Sequence, residues 1–292
     1  MNRRKFIINT LIKGVTATVA MQPIKAANSE FINKTYDELT EKVGTNVETN
    51  KKERTMKTII HRAETRGHAN HGWLDSYHTF SFANYYDRER MNFGVLRVLN
   101  DDTVEAGRGF GTHPHDNMEI ISIPLEGDLE HKDSMGNVAV IREGDVQVMS
   151  AGTGITHSEY NKNKDSLVKF LQIWVFPNER SVTPRYDQIS LKDISKENEF
   201  YQIVSPNKGE AGVWIHQDAW FHLGKFEKGK SDTYKVKREG NGVYAFILEG
   251  EVEINGEKLY KRDGMGVWDT DTISVEASEN ARVLLMDVPM EL

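Results

Sequence analysis

Residues 107–127 read GRGFGTHPHDNMEIISIPLEG, and residues 144–161 read GDVQVMSAGTGITHSEYN. The first stretch sets His113 and His115 two apart, with Glu119 four positions further on. The second sets His157 and Glu159 two apart. On a β-strand, residues i and i+2 face the same side. Each pair therefore aims two donor atoms into one space, and two pairs make a four-ligand metal site. Imidazole and carboxylate donors suit a divalent first-row metal. One H-x-H pair alone reads equally well as two unrelated surface or core histidines. A second pair, in a β-rich chain punctuated by glycine, tips the reading to metal.

Working outward, short apolar runs alternate with turn residues at about 8–12-residue spacing, the signature of an all-β sandwich or barrel. The runs before residue 182 are 93–99, 119–125, 138–141, 146–149 and 168–176. Asp-Ser-Met-Gly-Asn at 133–137 and Arg-Glu-Gly-Asp at 142–145 supply turns between them. A polar bridge, 183–199, precedes a second set at 200–204, 212–216, 220–226, 243–248, 251–254, 266–268 and 283–288. Within that bridge, 191–198 is expected to form a short helix. Leu248-Glu249-Gly250-Glu251-Val252 echoes Leu125-Glu126-Gly127-Asp128-Leu129, and Lys261-Arg262-Asp263-Gly264 echoes Ile141-Arg142-Glu143-Gly144. This weak repeat, at about 120 residues, predicts two similar barrels. The second set contains no H-x-H and nothing like Gly-Ile-Thr-His-Ser-Glu, so one metal site is expected, in the first barrel only.

The 292 residues suffice for one large or two medium domains. The chain has no cysteine, which excludes disulfides, thiolate ligands and a cysteine nucleophile. Its net charge of -7, without a concentrated basic patch, argues against nucleic-acid binding. The start, Asn2-Arg3-Arg4-Lys5-Phe6-Ile7, resembles a twin-arginine export signal over 1–27, with Ala26 and Ala27 as a cleavage point. The apolar stretch 6–21 is too short and too polar for a stable membrane span. Residues 1–27 carry five basic residues and no acid, so removing them takes the net charge from -7 to -12. Residues 28–55 read as a polar linker. The expected location is therefore periplasmic, or cytoplasmic if translation starts at Met56. A monomer is the default.

The ligand pattern resembles the cupin superfamily. Gly107-x5-His113-x-His115-x3-Glu119 is similar to its first motif and Gly154-x2-His157-x3-Asn161 to the core of its second. A more specific resemblance is to the pirin family. It rests on His113-Pro114-His115, on His131-x-Asp133-Ser134-x-Gly136-Asn137, on 150–159 (SAGTGITHSE) and on Leu171-Gln172-Ile173-Trp174. Residues 66–82 (RGHANHGWLDSYHTFSF) and 94–102 (GVLRVLNDD) carry it further. The resemblance covers 57–292; the extension 1–55 departs from the usual pirin beginning.

The resemblance implies a bicupin, two jelly-roll β-barrels stacked in one chain. The divisions are an N-terminal cupin barrel with the metal at 56–182 and a C-terminal barrel without metal at 183–292. It implies His113, His115, His157 and Glu159 as ligands of one divalent metal, Fe(II) first, with nickel, manganese, copper and zinc as alternatives. Glu119 is the competing carboxylate, because it shares parity with His113 and His115; its other role is to fix a histidine tautomer. The implied activity is opening of flavonols such as quercetin with O2, Glu159 taking the hydroxyl proton. The alternatives are an iron-dependent, redox-sensing regulatory partner or a different small-molecule cupin reaction. Phe80, Phe82, Phe110, Met118, Met149 and Trp174 are the candidate pocket aromatics and thioethers. His68, His71 and His78 are expected to be structural, with lining of the pocket mouth as the alternative; His216 and His222 are expected to be structural, and His131 to fix a loop. Asp101-Asp102 is expected as an exposed acidic turn.

Overall fold

The computed structural model describes residues 55–292. The expected export signal and all but the last residue of the polar linker lie outside the described residues. The chain begins with β1 (Lys57–His61), then a 3-10 turn at Ala63–Thr65, then β2 (Gly67–Asn70) and β3 (Leu74–His78). There follow β4 (Leu96–Val104), β5 (Gly109–His115), β6 (Glu119–Glu126), β7 (Leu129–Asp133) and β8 (Val138–Ile141). The first half closes with β9 (Asp145–Ser150), β10 (Ile155–Asn161), β11 (Val168–Val175) and β12 (Arg185–Ser190). The second half runs through β13 (Phe200–Ser205), β14 (Val213–Trp214), β15 (Trp220–Phe226), β16 (Ser231–Lys235) and β17 (Asn241–Glu249). It ends with β18 (Glu251–Ile254), β19 (Glu257–Tyr260), β20 (Gly264–Trp268), β21 (Thr272–Ala277) and β22 (Ala281–Pro289).

Each half is a pair of sheets. The first half stacks a seven-stranded sheet, β12-β9-β6-β11-β4-β3-β2, with a four-stranded one, β5-β10-β7-β8. The second repeats this with β1-β20-β17-β22-β15-β13-β14 and β16-β21-β18-β19. The architecture is the expected bicupin, with one refinement. The sheets stay separate, so each half is a jelly-roll sandwich rather than a continuous closed barrel. The repeat read from the two Leu-Glu-Gly phrases corresponds to β6–β7 and β17–β18, equivalent passages from the large sheet to the small one in the two halves. One strand crosses between them. β1 pairs antiparallel with β20, Lys57 opposite Trp268 and His61 opposite Gly264, so the segment expected to open the first half extends the sheet of the second.

Alternation along the strands sorts the cores. In β6, Ile121 and Ile123 face the second half. They join Leu99, Ile173, Phe246 and Leu284 in one hydrophobic core shared between the large sheets. Inside the second half, Val243, Ala245, Ile247, Val283 and Leu285 fill the space between its sheets. Inside the first half the same face is mixed. Leu74, Val104, Val168 and Phe170 form a small apolar cluster with the facing sheet, while Ser122, Gln172, Asn100 and His78 are buried beside a cavity.

Two local expectations fail. Residues 191–198 form no helix. Ile194 and Ser195 N–H both return to the Leu191 carbonyl, giving one turn, and Asn198 then takes a left-handed φ of 62° that ends it. Asp101 and Asp102 lie within β4, not in an exposed turn. Asp101 is paired with Arg66 and Arg262, and Asp102 is 3% exposed. The acidic doublet looked like a turn because its partners lie far away in sequence.

Candidate metal centre

β10 sits between β5 and β7, and this places the motif residues. Across β5–β10, His157 lies opposite His113 and Ile155 opposite His115. Across β10–β7, His157 lies opposite Asp133 and Glu159 opposite His131. A bulge between His157 and Glu159 then sets Glu159 opposite Phe110. The strands approach closely here. A Cβ on Gly109 would lie 2.2 Å from the Glu159 carbonyl oxygen, so only glycine fits.

The ring centroids of His113, His115 and His157 lie 4.5–4.9 Å apart in all three pairings. One nitrogen from each falls within 4.8 Å of the others. His113 Nδ1 donates to the Gly111 carbonyl at 2.7 Å, which leaves Nε2 with its lone pair free. His157 reaches the same state by another route. His131 Nε2 donates to Asp133 Oδ2 at 3.2 Å, so His131 Nδ1 is an acceptor, 3.5 Å from His157 Nδ1. The proton of His157 then sits on Nδ1, and its Nε2 is buried without a partner. Burial pushes His115 down to about 4 and His157 down to about 2, with the neighbouring histidines adding to the effect. Three imidazole nitrogens gathered this closely, one of them buried without a partner, are what a cation needs. The donor set fits a divalent metal of the transition series.

Glu159 stands beside this trio. Its carboxyl meets a nitrogen of His157 and of His131 within 4.8 Å but does not join all three motif histidines in one cluster. Ser122 Oγ donates to Oε1 at 3.0 Å and Gln172 Nε2 to Oε2 at 2.6 Å. Burial raises its carboxyl to about 7 against those two hydrogen bonds. Each oxygen keeps a lone pair for a cation or a proton.

Glu119 is elsewhere. Asp116, Asn117 and Met118 separate β5 from β6, Asn117 takes a φ of 45°, and the parity shared with His113 is lost. Glu119 points into the contact between the halves and accepts from Ser150 Oγ at 2.7 Å. Burial raises it to about 7, outweighing Ser150 and the Arg185 charge.

A cavity of about 440 Å³ opens beside the histidines, lined by His113, His115 and Glu159. Phe82, Phe110 and Trp174 form its aromatic walls. The other three candidates do not line it: Phe80 belongs to the core shared between the halves, and Met149 packs with Met118 behind Trp174. His68 and His71 are exposed at the cavity, and His68 pairs with Asp75 at 2.6 Å. His78 is buried in the wall. In the second half, His222 packs against Tyr234 and His216 against Trp214, and neither joins a metal-type cluster among the described residues. His131 does more than fix its loop, since it also orients His157. Only its cross-strand neighbours reveal that.

The Pirin family pattern matches residues 59–175, and the Quercetinase C-terminal cupin domain matches residues 202–288. A quercetin 2,3-dioxygenase of Escherichia coli K12 is 45% identical over 230 residues, covering 79% of this chain and 98% of that protein. The chain belongs to the pirin family. Among solved structures, the bacterial pirin YhhW of Escherichia coli in complex with nickel(II) is 43% identical, with a TM-score of 0.76. The match covers 80% of this pirin and 99% of that chain. A quercetin 2,3-dioxygenase from Acinetobacter baumannii is 25% identical with a TM-score of 0.67, covering 80% of this pirin and 87% of its own chain.

Proposed function

We propose that this pirin is a metal-dependent dioxygenase that opens flavonols such as quercetin with O2, releasing carbon monoxide. His113, His115, His157 and Glu159 hold the metal, and Glu159 is also the base. The observation that carries this is the cluster of His113, His115 and His157 nitrogens beside an aromatic-lined cavity that His113 and His115 help to line. The curated relatives bear the name of that activity. Fe(II) is the first choice of metal. Nickel stands next, since a related pirin was crystallised with it, and manganese, copper and zinc accept the same donors.

When bound, the metal supplies Lewis acidity and positions for a substrate oxygen and for O2. The chain supplies the rest. Phe82, Phe110 and Trp174 hold planar rings and exclude water. Glu159, raised to about 7, accepts the proton of the flavonol hydroxyl near neutral pH. Ser122 and Gln172 keep its carboxylate turned toward the cavity. The deprotonated flavonol is then electron-rich enough to react with O2. Two ring bonds break, both oxygen atoms enter the ester product and one ring carbon leaves as carbon monoxide.

A cavity of this size supports substrate entry over a closed redox centre of a regulatory partner. Because one chain builds the whole site, we propose a working monomer. Turnover under 18O2 tests the reaction: both labelled atoms are expected in the ring-opened product. Label from water at either position would contradict a dioxygenase.

A further inference from the structure

The inner face of the first half's large sheet carries a polar row that starts at Gln172, the partner of Glu159, and runs away from the metal ligands. Gln172 of β11 pairs with Asn100 of β4, which pairs with His78 of β3. Asp102 and Ser76 form the next pair along β4 and β3. All five line the cavity beside Glu159. The fold does not require this polarity, because the equivalent interior of the second half is aliphatic.

The hydrogens can be assigned. Ser76 Oγ donates its single proton to Asp102 Oδ1 when that carboxyl, which burial pushes up to about 7, is ionised, so the assignment applies above that pH. His78 Nε2, 2.9 Å from Ser76 Oγ, must therefore be the donor in that contact. Burial pushes this imidazole down to about 4, so it is neutral and its Nδ1 is an acceptor. That Nδ1 has no partner, and neither has Asn100 Oδ1. The two side chains are 3% and 2% exposed. Unpartnered buried acceptors are costly. The cluster offers acceptors, so its complement is a donor. β3 lies two strands from β11, about 10 Å across the sheet. A group bound there belongs to a ring other than the one beside Glu159.

We propose that Asp102, Ser76 and His78, with Asn100, form a receptor for a hydroxyl group on a remote aromatic ring of the substrate. The site selects polyhydroxylated planar aromatics over those whose second ring is bare. This rests on the dioxygenase reading of the same cavity and adds a specificity determinant to it. A carbonyl or carboxylate substituent at that point would meet lone pairs and be rejected.

The test is anaerobic binding to the full-length, nickel-loaded protein. The probes are two flavonols, one with two hydroxyls on the pendant ring and one with none. The wild type is expected to bind the hydroxylated probe about 10-fold more tightly, the value of one good buried hydrogen bond. Asp102→Asn and His78→Phe are expected to erase that preference, with affinity for the bare-ring probe and nickel content unchanged. Ser76→Ala cuts the same chain with a smaller change and is expected to reduce the preference in the same direction. A preference that survives in all three variants, or an equal loss for both probes, overturns the receptor while leaving the dioxygenase reading intact. Wild-type protein that holds nickel but binds neither probe overturns both.

Discussion

His131 decides which nitrogen of His157 is free. Its Nε2 is committed to Asp133, so its Nδ1 accepts and His157 turns a bare Nε2 toward His113 and His115. His131→Ala removes that acceptor, and metal affinity is expected to fall about 10- to 100-fold. Calorimetric titration of the metal-free protein would check this, and unchanged affinity would contradict the tautomer assignment. At this scale the sequence was partly readable. His113, His115 and His157 could be picked out because parity holds along a single strand. Glu119 stayed a competing carboxylate in the sequence because parity alone does not show that Asn117 interrupts the strand. Its position makes a second prediction. Its pKa is raised from 4.5 to about 7, so the folded state holds a proton that the unfolded chain releases. Folding therefore loses stability from this group as pH rises through about 4.5 to 7. Glu119→Gln has no proton to lose, so its stability relative to wild type should climb over that window, by roughly 3 kcal/mol at most. Denaturant unfolding at several pH values checks it; a pH-independent difference would contradict the assignment.

The β5–β10 pair is the element on which the site depends. Its register sets His157 against His113, and its bulge brings Glu159 opposite Phe110. Gly109 permits the close approach, with no room for a Cβ against the Glu159 carbonyl. Gly109→Ala is expected to push the strands apart, costing about 1–3 kcal/mol of stability and lowering metal affinity with it. Thermal unfolding together with metal content would show both effects, and a variant normal in both would refute the account of this pairing. Most strands were legible from alternation and turn residues, because β6 and β11 each carry a dense run of Ile, Leu or Val. The failures were at polar segments. The stretch 191–198 has helical composition but only one turn's worth of hydrogen bonds. Asp101 and Asp102 read as a loop because strand membership came from Leu171, Phe170, Tyr77 and Ser76 across the sheet.

The two halves are bound by more than their shared core. β1 leaves the extension, pairs with β20 and so ties the start of the described chain to the second sheet. No local pattern in KTIIH announces this, because the partner strand lies about 200 residues away in sequence. A product starting at Met56 keeps the strand, whereas one starting at Arg62 loses it. The shorter form is expected to unfold at lower temperature and to self-associate through the bared edge of β20. An unchanged midpoint and a monodisperse product would contradict that role. The proposed export signal has its own test: Arg3→Lys with Arg4→Lys should retain the protein in the cytoplasmic fraction, and unchanged fractionation would rule the signal out. Above all, the whole molecule is read as one hollow, metal-bearing half supported by one filled half. The most direct test adds quercetin aerobically to protein loaded in turn with iron, nickel, manganese and copper, following flavonol absorbance and carbon monoxide. Turnover with at least one metal, absent in His115→Ala along with the metal itself, is the predicted result. A filled site that leaves quercetin untouched with every metal would contradict it.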